Sequence, residues 1–152
     1  MKKIIFIISS ALFVLGFTAC KSRNTATTDA TPGEISIDFD GKYWKLIELD
    51  GNSVEEGTSA KEPHIILDVN ASRFHGNAGC NTISGSYQLT EPGRITFSQV
   101  VATRMMCLDM TIENKFLKTF DTADSYTVKN DTLTLFKDET ALARFVVVRK
   151  NS

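Results

Sequence analysis

The sequence predicts an α+β domain, built as a curled antiparallel sheet or partial β-barrel of about 7–8 strands with one amphipathic helix packed across it. Two observations lead to this class. Short runs rich in Val, Ile, Thr, Phe and Tyr are separated by turn residues, which is typical of antiparallel strands. One later segment has helical periodicity instead. Because a single amphipathic helix is not stable alone in water, its apolar face is expected to cover the open side of the sheet.

The chain begins with the pattern of a lipoprotein signal peptide, predicted over residues 1–19. Lys2 and Lys3 precede an apolar run over 4–17, and Ala19 precedes Cys20, whose thiol can carry a diacylglycerol. An uncleaved transmembrane anchor needs about 20 apolar residues, and this run is shorter. Ordinary cleavage prefers small residues at the first and third positions before the cut, and the third is a phenylalanine. Lipidation of Cys20 is therefore the favoured interpretation.

The stretch that follows, residues 20–33, is predicted to be a flexible stalk behind the lipidated cysteine. It is rich in Thr, Ser, Asn, Ala and Pro and has no apolar periodicity, so it cannot bury enough surface to offset its ordering entropy. Lys21 and Ser22 provide no acidic residue after Cys20. By resemblance to known lipoproteins, that favours the outer membrane of a bacterial cell envelope, on either its periplasmic face or the cell surface.

The charge balance excludes two classes of partner. Removal of residues 1–19 takes away two of the 17 basic side chains and leaves all 18 acidic ones, so the mature chain has a formal net charge of −3. A weakly acidic chain without a basic cluster is not expected to bind nucleic acid. It has no polybasic patch for anionic lipid either. Contact with the membrane is therefore expected only through the lipid on Cys20.

Residues 34–152 are long enough for one domain with a real core. The last strand is apolar on both faces and is expected to be central in the sheet. For the helix predicted over 111–123, Asp109 or Thr111 is a candidate N-cap, and Glu113 in the first turn interacts favourably with the helix dipole. The predicted strands span 43–49, 64–69, 73–76, 85–89, 94–101, 126–129, 132–137 and 142–149, and the predicted helix spans 111–123.

Five short motifs make the domain resemble a known family over about residues 39–148. They are Tyr-Trp-Lys-Leu at 43–46, Gly-Asn-Ala-Gly-Cys-Asn at 76–81, Gly-Ser-Tyr at 85–87, Thr-Arg-Met-Met-Cys at 103–107 and Leu-Thr-Leu at 133–135. These residues are similar to those of the META domain family, typified by the heat-shock lipoprotein HslJ. The resemblance implies a secreted or lipid-anchored domain of mixed β and α structure linked to envelope stress and drug tolerance. It implies no established enzyme activity.

Cys80 and Cys107 are the nearest approach to a chemical site, and three interpretations stay open. In an oxidising compartment they can form a disulfide, but they can equally be two buried free thiols, and reactive chemistry is a weaker third. A nucleophilic pair of either cysteine with His64 or His75 needs an oriented imidazole, which nothing in the spacing requires. The four residues also lack the ligand spacing of a zinc site. No catalytic residue, metal or cofactor is therefore predicted.

The glycine-rich run at 76–79 does not predict a phosphate loop, because it leads toward a strand and not into a helix. A tight connection or bulge is the simpler interpretation. Asn81 is expected to hydrogen-bond its own backbone and hold the loop. Gly79, Cys80 and Asn81 are the candidate contact loop for a partner.

Three function hypotheses follow. The preferred one is a non-enzymatic envelope lipoprotein that binds another envelope protein under stress. The second is a carrier of a small apolar ligand or lipid in a cleft between sheet and helix, since large apolar side chains fit a hollow barrel as well as a filled one. The third, a cysteine-dependent enzyme or redox protein, depends only on Cys80 and Cys107.

Overall fold

The structure is a computed structural model that describes residues 39–149. The predicted signal peptide, the stalk with Cys20 and the start of the predicted domain at 34–38 lie outside the described residues. No helix among residues 39–149 is long and apolar enough to cross a membrane. In chain order the elements are β1 (Tyr43–Leu49), β2 (Asn52–Ser53), β3 (His64–Asp68), β4 (Arg73–Asn77), β5 (Thr82–Leu89), β6 (Ile95–Ala102), α1 (Thr111–Thr122), β7 (Ser125–Lys129), β8 (Thr132–Lys137) and β9 (Thr140–Val147).

The sheet is antiparallel throughout and curls into a half-barrel, which confirms the predicted fold class. Its strands lie in the order β6-β5-β4-β3-β1-β9-β8-β7, and the short β2 pairs with the end of β1. The last strand, β9, lies between β1 and β8 and is central, as its two apolar faces predict. Register shifts in the β1–β9, β5–β6 and β8–β9 pairs mark the places where bulges bend the sheet.

The two end strands of the sheet meet at a short seam. Arg94, just before β6, bridges Ser125 at the start of β7. The Ile95 N–H donates to the Asp124 carbonyl at 3.2 Å, and the Tyr126 N–H donates to the Gly93 carbonyl at 2.8 Å. Beyond this seam β6 pairs with β5 alone within the described part of the chain. The half-barrel is therefore joined at the start of β6 and open along the rest of that strand.

Aromatic side chains fill the space between α1 and the sheet. Phe120 of α1 stacks on Phe74 with ring centroids 4.8 Å apart and meets Phe97 edge-on at 5.0 Å. Phe116, one turn earlier, packs against Phe145 of β9 at 5.7 Å. All of these rings except Phe97 are at most 2% exposed. The sheet-to-helix interface is thus a packed core of the kind that aromatic burial stabilises.

The seam carries an acid-sensitive carboxylate, which gives a pH prediction. Hydrogen bonds from the Lys137 ammonium and the Ser125 hydroxyl lower the pKa of Asp124 to about 2. Since this pKa lies below the unfolded value of about 4, the carboxylate stabilises the fold above about pH 4 and loses that contribution as the pH falls toward about 2. We therefore expect Asp124→Asn to lower the denaturant midpoint at neutral pH, with the difference from wild type shrinking over that acid range. Asp121→Asn, an exposed change on α1, is the control. A difference that stays constant down to about pH 2 would contradict this role.

Candidate functional site

A buried carboxylate organises the loop between β4 and β5. Glu113, in the first turn of α1, is 4% exposed. Its Oε2 accepts hydrogen bonds from the backbone N–H groups of Cys80 at 3.1 Å and Asn81 at 2.7 Å, and its Oε1 accepts one from the Asn81 amide at 2.6 Å. One ionisable side chain thereby satisfies three donors of a buried loop.

The helical spacing of Glu113 is a signal that sequence reasoning missed. Glu113, Phe116 and Phe120 recur at three and seven residues, so they share the face of α1 that covers the sheet. From the sequence alone, Glu113 was expected only to interact favourably with the helix dipole. At the N-cap position, Met110 makes no side-chain cap bond, and the Asp109 carboxylate accepts the Thr111 N–H at 2.8 Å from one residue earlier.

Asn81 joins the loop to the segment between β6 and α1. Its Oδ1 accepts the Met105 N–H at 2.7 Å and the Thr103 hydroxyl at 2.8 Å, and its Nδ2 donates to the Met105 carbonyl at 3.0 Å. The expectation that the Asn81 side chain bonds its own backbone was wrong. Within the loop the Asn81 carbonyl accepts the Ala78 N–H at 2.8 Å, and the local side-chain bond comes from Asn77, whose Oδ1 accepts the Gly79 N–H at 2.9 Å. Gly79 has a φ of +117°, which residues with a side chain rarely adopt, so this turn requires glycine.

A disulfide between Cys80 and Cys107 makes a second connection to the same segment. The two sulfur atoms are bonded, and the Cα atoms are 6.2 Å apart. The alternatives of two free thiols and of reactive cysteine chemistry both need a thiol at Cys80 or Cys107, and each of these two sulfur atoms is bonded to the other. The contacts of His64 are with residues other than the cysteines. Its Nδ1 lies 2.9 Å from the Glu62 carbonyl oxygen, and its ring stacks on the ring of Tyr43. His75 is exposed on β4.

The predicted contact loop is not a surface. Gly79, Cys80 and Asn81 are all buried, because Glu113 lies against the loop and the 103–107 segment is bonded to it. A partner cannot contact these three residues directly, so this candidate was wrong as stated. Asn81 and Cys80 instead attach an exposed segment to the domain, since Asn81 bonds the Met105 backbone and Cys80 is bonded to Cys107.

That exposed segment and the end of β6 carry an apolar surface, which we define as Val101, Met105, Met106 and Leu108. Their exposed fractions are 60% for Val101, 56% for Met105 and 96% for Met106, while Leu108 is fully exposed. Beside them a groove of about 560 Å³ runs between the end of β6 and the first half of α1. The residues along it include Val100, Ala102, Met110, Glu113 and Leu117.

The apolar surface stands on a fixed support, although Met105, Met106 and Leu108 lie in a segment that forms neither helix nor strand and only Val101 lies in β6. Asn81 holds Met105 through two backbone hydrogen bonds, and the disulfide holds Cys107 two residues later. Single exposed apolar residues are common on soluble proteins, but several in one segment mark a contact surface more often. A surface held in one conformation loses little entropy when it binds.

A second depression, of about 250 Å³, lies beside β1 and is a weaker candidate. The Lys45 ammonium in it is already paired, because it lies 2.8 Å from a Glu62 carboxylate oxygen and also contacts Glu56. The Tyr43 hydroxyl donates to Glu62 at 2.9 Å, and burial together with this bond raises the pKa of Tyr43 to about 12. These contacts join β1 to the stretch before β3, so Lys45 already has its partners within the fold.

Comparisons with known proteins agree with this architecture. The META domain family matches residues 37–150. A solved protein from Burkholderia xenovorans has 22% identity and a TM-score of 0.61, covering 74% of this chain and 86% of that one. A DUF4847 family protein from Bacteroides vulgatus has 13% identity and a TM-score of 0.55, covering 78% of this chain and all of that one. At these identities the likeness shows the fold. No curated protein matches the chain.

Proposed function

The chain belongs to the META domain family, and from that premise we propose that it is a non-enzymatic, lipid-anchored envelope protein that binds another envelope protein through its apolar surface. The observation that carries the proposal is the exposure of Met105, Met106 and Leu108, on a segment fixed by Asn81 and the disulfide, next to the exposed Val101 of β6. Methionine is enriched at protein interfaces, where its flexible, polarisable side chain adapts to the partner.

The partner best suited to this surface is an extended apolar segment of another protein. β6 is an end strand of the sheet, and past the seam it pairs with β5 alone within residues 39–149. The groove follows that free side of β6 toward α1. An added strand gains main-chain hydrogen bonds from such an edge, and its alternate side chains contact the neighbouring apolar residues.

The anchor and the address belong to the proposal as well. The lipidation pattern that ends at Cys20 supports attachment to a membrane, and Lys21 and Ser22 after it support the outer membrane. The family resemblance supports a role in envelope stress and drug tolerance. An enzymatic role receives no support from the cysteines, because their sulfur atoms are bonded to each other.

The carrier hypothesis is weaker than the interaction hypothesis. A carrier pocket usually encloses most of its ligand, whereas here the aromatic rings of α1 and the sheet pack against each other and fill the predicted cleft. The groove beside β6 is at the surface. A ligand in it would leave much of its own apolar surface in water.

Site-specific photo-crosslinking in the envelope tests the proposal. A photoreactive residue at Leu108 is expected to capture one recurrent protein. The control position is Asn70 in the turn between β3 and β4, because β4 runs from that turn toward the Cys80 loop and so separates the two places. Cys20→Ser, which cannot accept the lipid, is expected to reduce the capture. Equal capture from Leu108 and Asn70, or none from either, would contradict a docking role for the apolar surface.

A further inference from the structure

We propose that Met105 and Met106 form a modification site, at which a hydroperoxide converts the two thioethers to sulfoxides and changes the apolar surface to a polar one. The consequence for docking rests on the function proposed above. The modification itself does not, because it depends only on exposure, sulfur chemistry and the way in which the segment is held.

The methionines of the chain have an unusual distribution. The sequence has four, of which Met1 begins the predicted signal peptide and the other three lie between positions 105 and 110. Met106 is 96% exposed and Met105 is 56% exposed, whereas Met110 is only partly exposed. An oxidant in solution therefore has direct access to the first two sulfur atoms, and access to Met110 is lower.

The disulfide leaves these thioethers as the most easily oxidised sulfur groups in the described part of the chain. A free thiolate normally reacts with peroxide before a thioether does. Cys80 and Cys107 have no thiolate, because each sulfur is bonded to the other. A peroxide that reaches this surface therefore meets methionine sulfur without a competing cysteine in residues 39–149.

The reaction balances with peroxide as the sole oxidant. A sulfur lone pair attacks one peroxide oxygen, so that an S–O bond forms and the O–O bond breaks. The attacked oxygen is the one that carries hydrogen, and it gives up that proton to the departing oxygen, which leaves as water or, from an organic hydroperoxide, as an alcohol. Sulfur loses two electrons and the peroxide gains them. Methionine sulfoxide reductases return the sulfoxide to the thioether, so the change is reversible.

The oxidised protein is expected to keep its fold. The Met105 backbone is held by Asn81 and the neighbouring Cys107 by the disulfide, and neither link uses a methionine sulfur atom. Met106 is 96% exposed and Met105 is 56% exposed, so neither side chain is part of the buried core. Of the four side chains that define the apolar surface, two become polar, while Val101 and Leu108 do not change. Oxidation of the two methionines is therefore expected to change the polarity of the apolar surface without lowering the stability of the domain.

Graded treatment of the full-length lipoprotein with hydrogen peroxide, in intact envelopes, tests the site. Peptide mass mapping is expected to show one added oxygen first at Met106, then at Met105, with Met110 last. Uniform oxidation of the three residues, or Met110 first, would overturn the proposal. This readout needs no partner, so it decides the modification even if Leu108 captures no protein.

The docking consequence is tested with the Leu108 photo-crosslink in the same samples. Capture is expected to fall about tenfold after oxidation, as when polar groups replace two apolar contacts of an interface. The matched control is Met105→Leu with Met106→Leu, which keeps the surface apolar but removes the reactive sulfur atoms, and it is expected to capture equally with and without peroxide. Undiminished capture by fully oxidised wild type would overturn the proposal that oxidation weakens docking. Loss of capture by the peroxide-treated double variant would overturn it too.

Discussion

Glu113→Ala is expected to lower the free energy of unfolding by about 4 kcal/mol, because it removes one buried carboxylate and leaves three buried donors without a partner. The three donors are the backbone N–H groups of Cys80 and Asn81 and the Asn81 side-chain amide. Each unsatisfied buried donor costs about 1–3 kcal/mol. The substitution also leaves a cavity beside the first turn of α1, which adds to the loss of stability, although water entering the cavity offsets part of that loss.

Two further variants separate the loss of the acceptor from the loss of side-chain volume. Glu113→Gln keeps the shape of the side chain and one acceptor oxygen but presents an NH₂ group to a donor, so we expect a loss of about 2 kcal/mol. Asp121→Asn, an exposed change on the same helix, is expected to alter stability by less than about 0.5 kcal/mol. The measurement is denaturant unfolding of the three variants and wild type. A loss below about 1 kcal/mol for Glu113→Ala would show that the carboxylate does not organise the loop.

Loss of Glu113 has a functional consequence as well. The loop that Glu113 holds contains Asn81, which in turn holds Met105, so the apolar surface depends on a carboxylate that lies beneath it. A partner that recognises the fixed conformation of this segment should bind the Glu113→Gln variant more weakly, even at temperatures at which that variant stays folded.

The fold was largely predictable from the sequence, for reasons visible in its strands. β1 and β8 were predicted with their observed bounds, because period-two alternation and turn residues at both ends are local signals. The helix was placed to within one residue at its C-terminal end for the same reason. β2 escaped prediction. It is two residues long and exists because the chain after β1 folds back on the end of that strand, which no periodicity can reveal.

The candidate site was predictable only in part, because its contacts join distant parts of the chain. The sequence marked Cys80, Asn81 and the 103–107 segment, but it did not indicate that Asn81 bonds Met105, 24 positions away, or that Glu113 bonds Asn81, 32 positions away. Burial of the loop follows from those contacts. Exposure of Met105 and Met106 follows too, since a segment tied down through its backbone and one cysteine directs its other side chains outward.

Replacement of both disulfide cysteines, by Cys80→Ala with Cys107→Ala, is expected to lower the free energy of unfolding by about 3.5 kcal/mol on the chain-entropy model. The two cysteines are 27 positions apart, and the loop that they close contains β5 and β6. Without the bond the unfolded chain gains conformational freedom, while the folded chain keeps the hydrogen bonds of Asn81 to Met105. The fold is therefore expected to survive with lower stability.

Denaturant unfolding with and without reductant is the measurement for the disulfide. Wild type is expected to lose stability on reduction and to approach the double variant, and the double variant is expected to be insensitive to reductant. Equal midpoints for oxidised wild type and the double variant would contradict the stabilising role. Photo-crosslinking from Leu108 in the double variant then separates two functions of the bond. If capture falls while the domain stays folded, the disulfide serves to present the apolar surface, because Asn81 alone does not hold the residues that follow Met105.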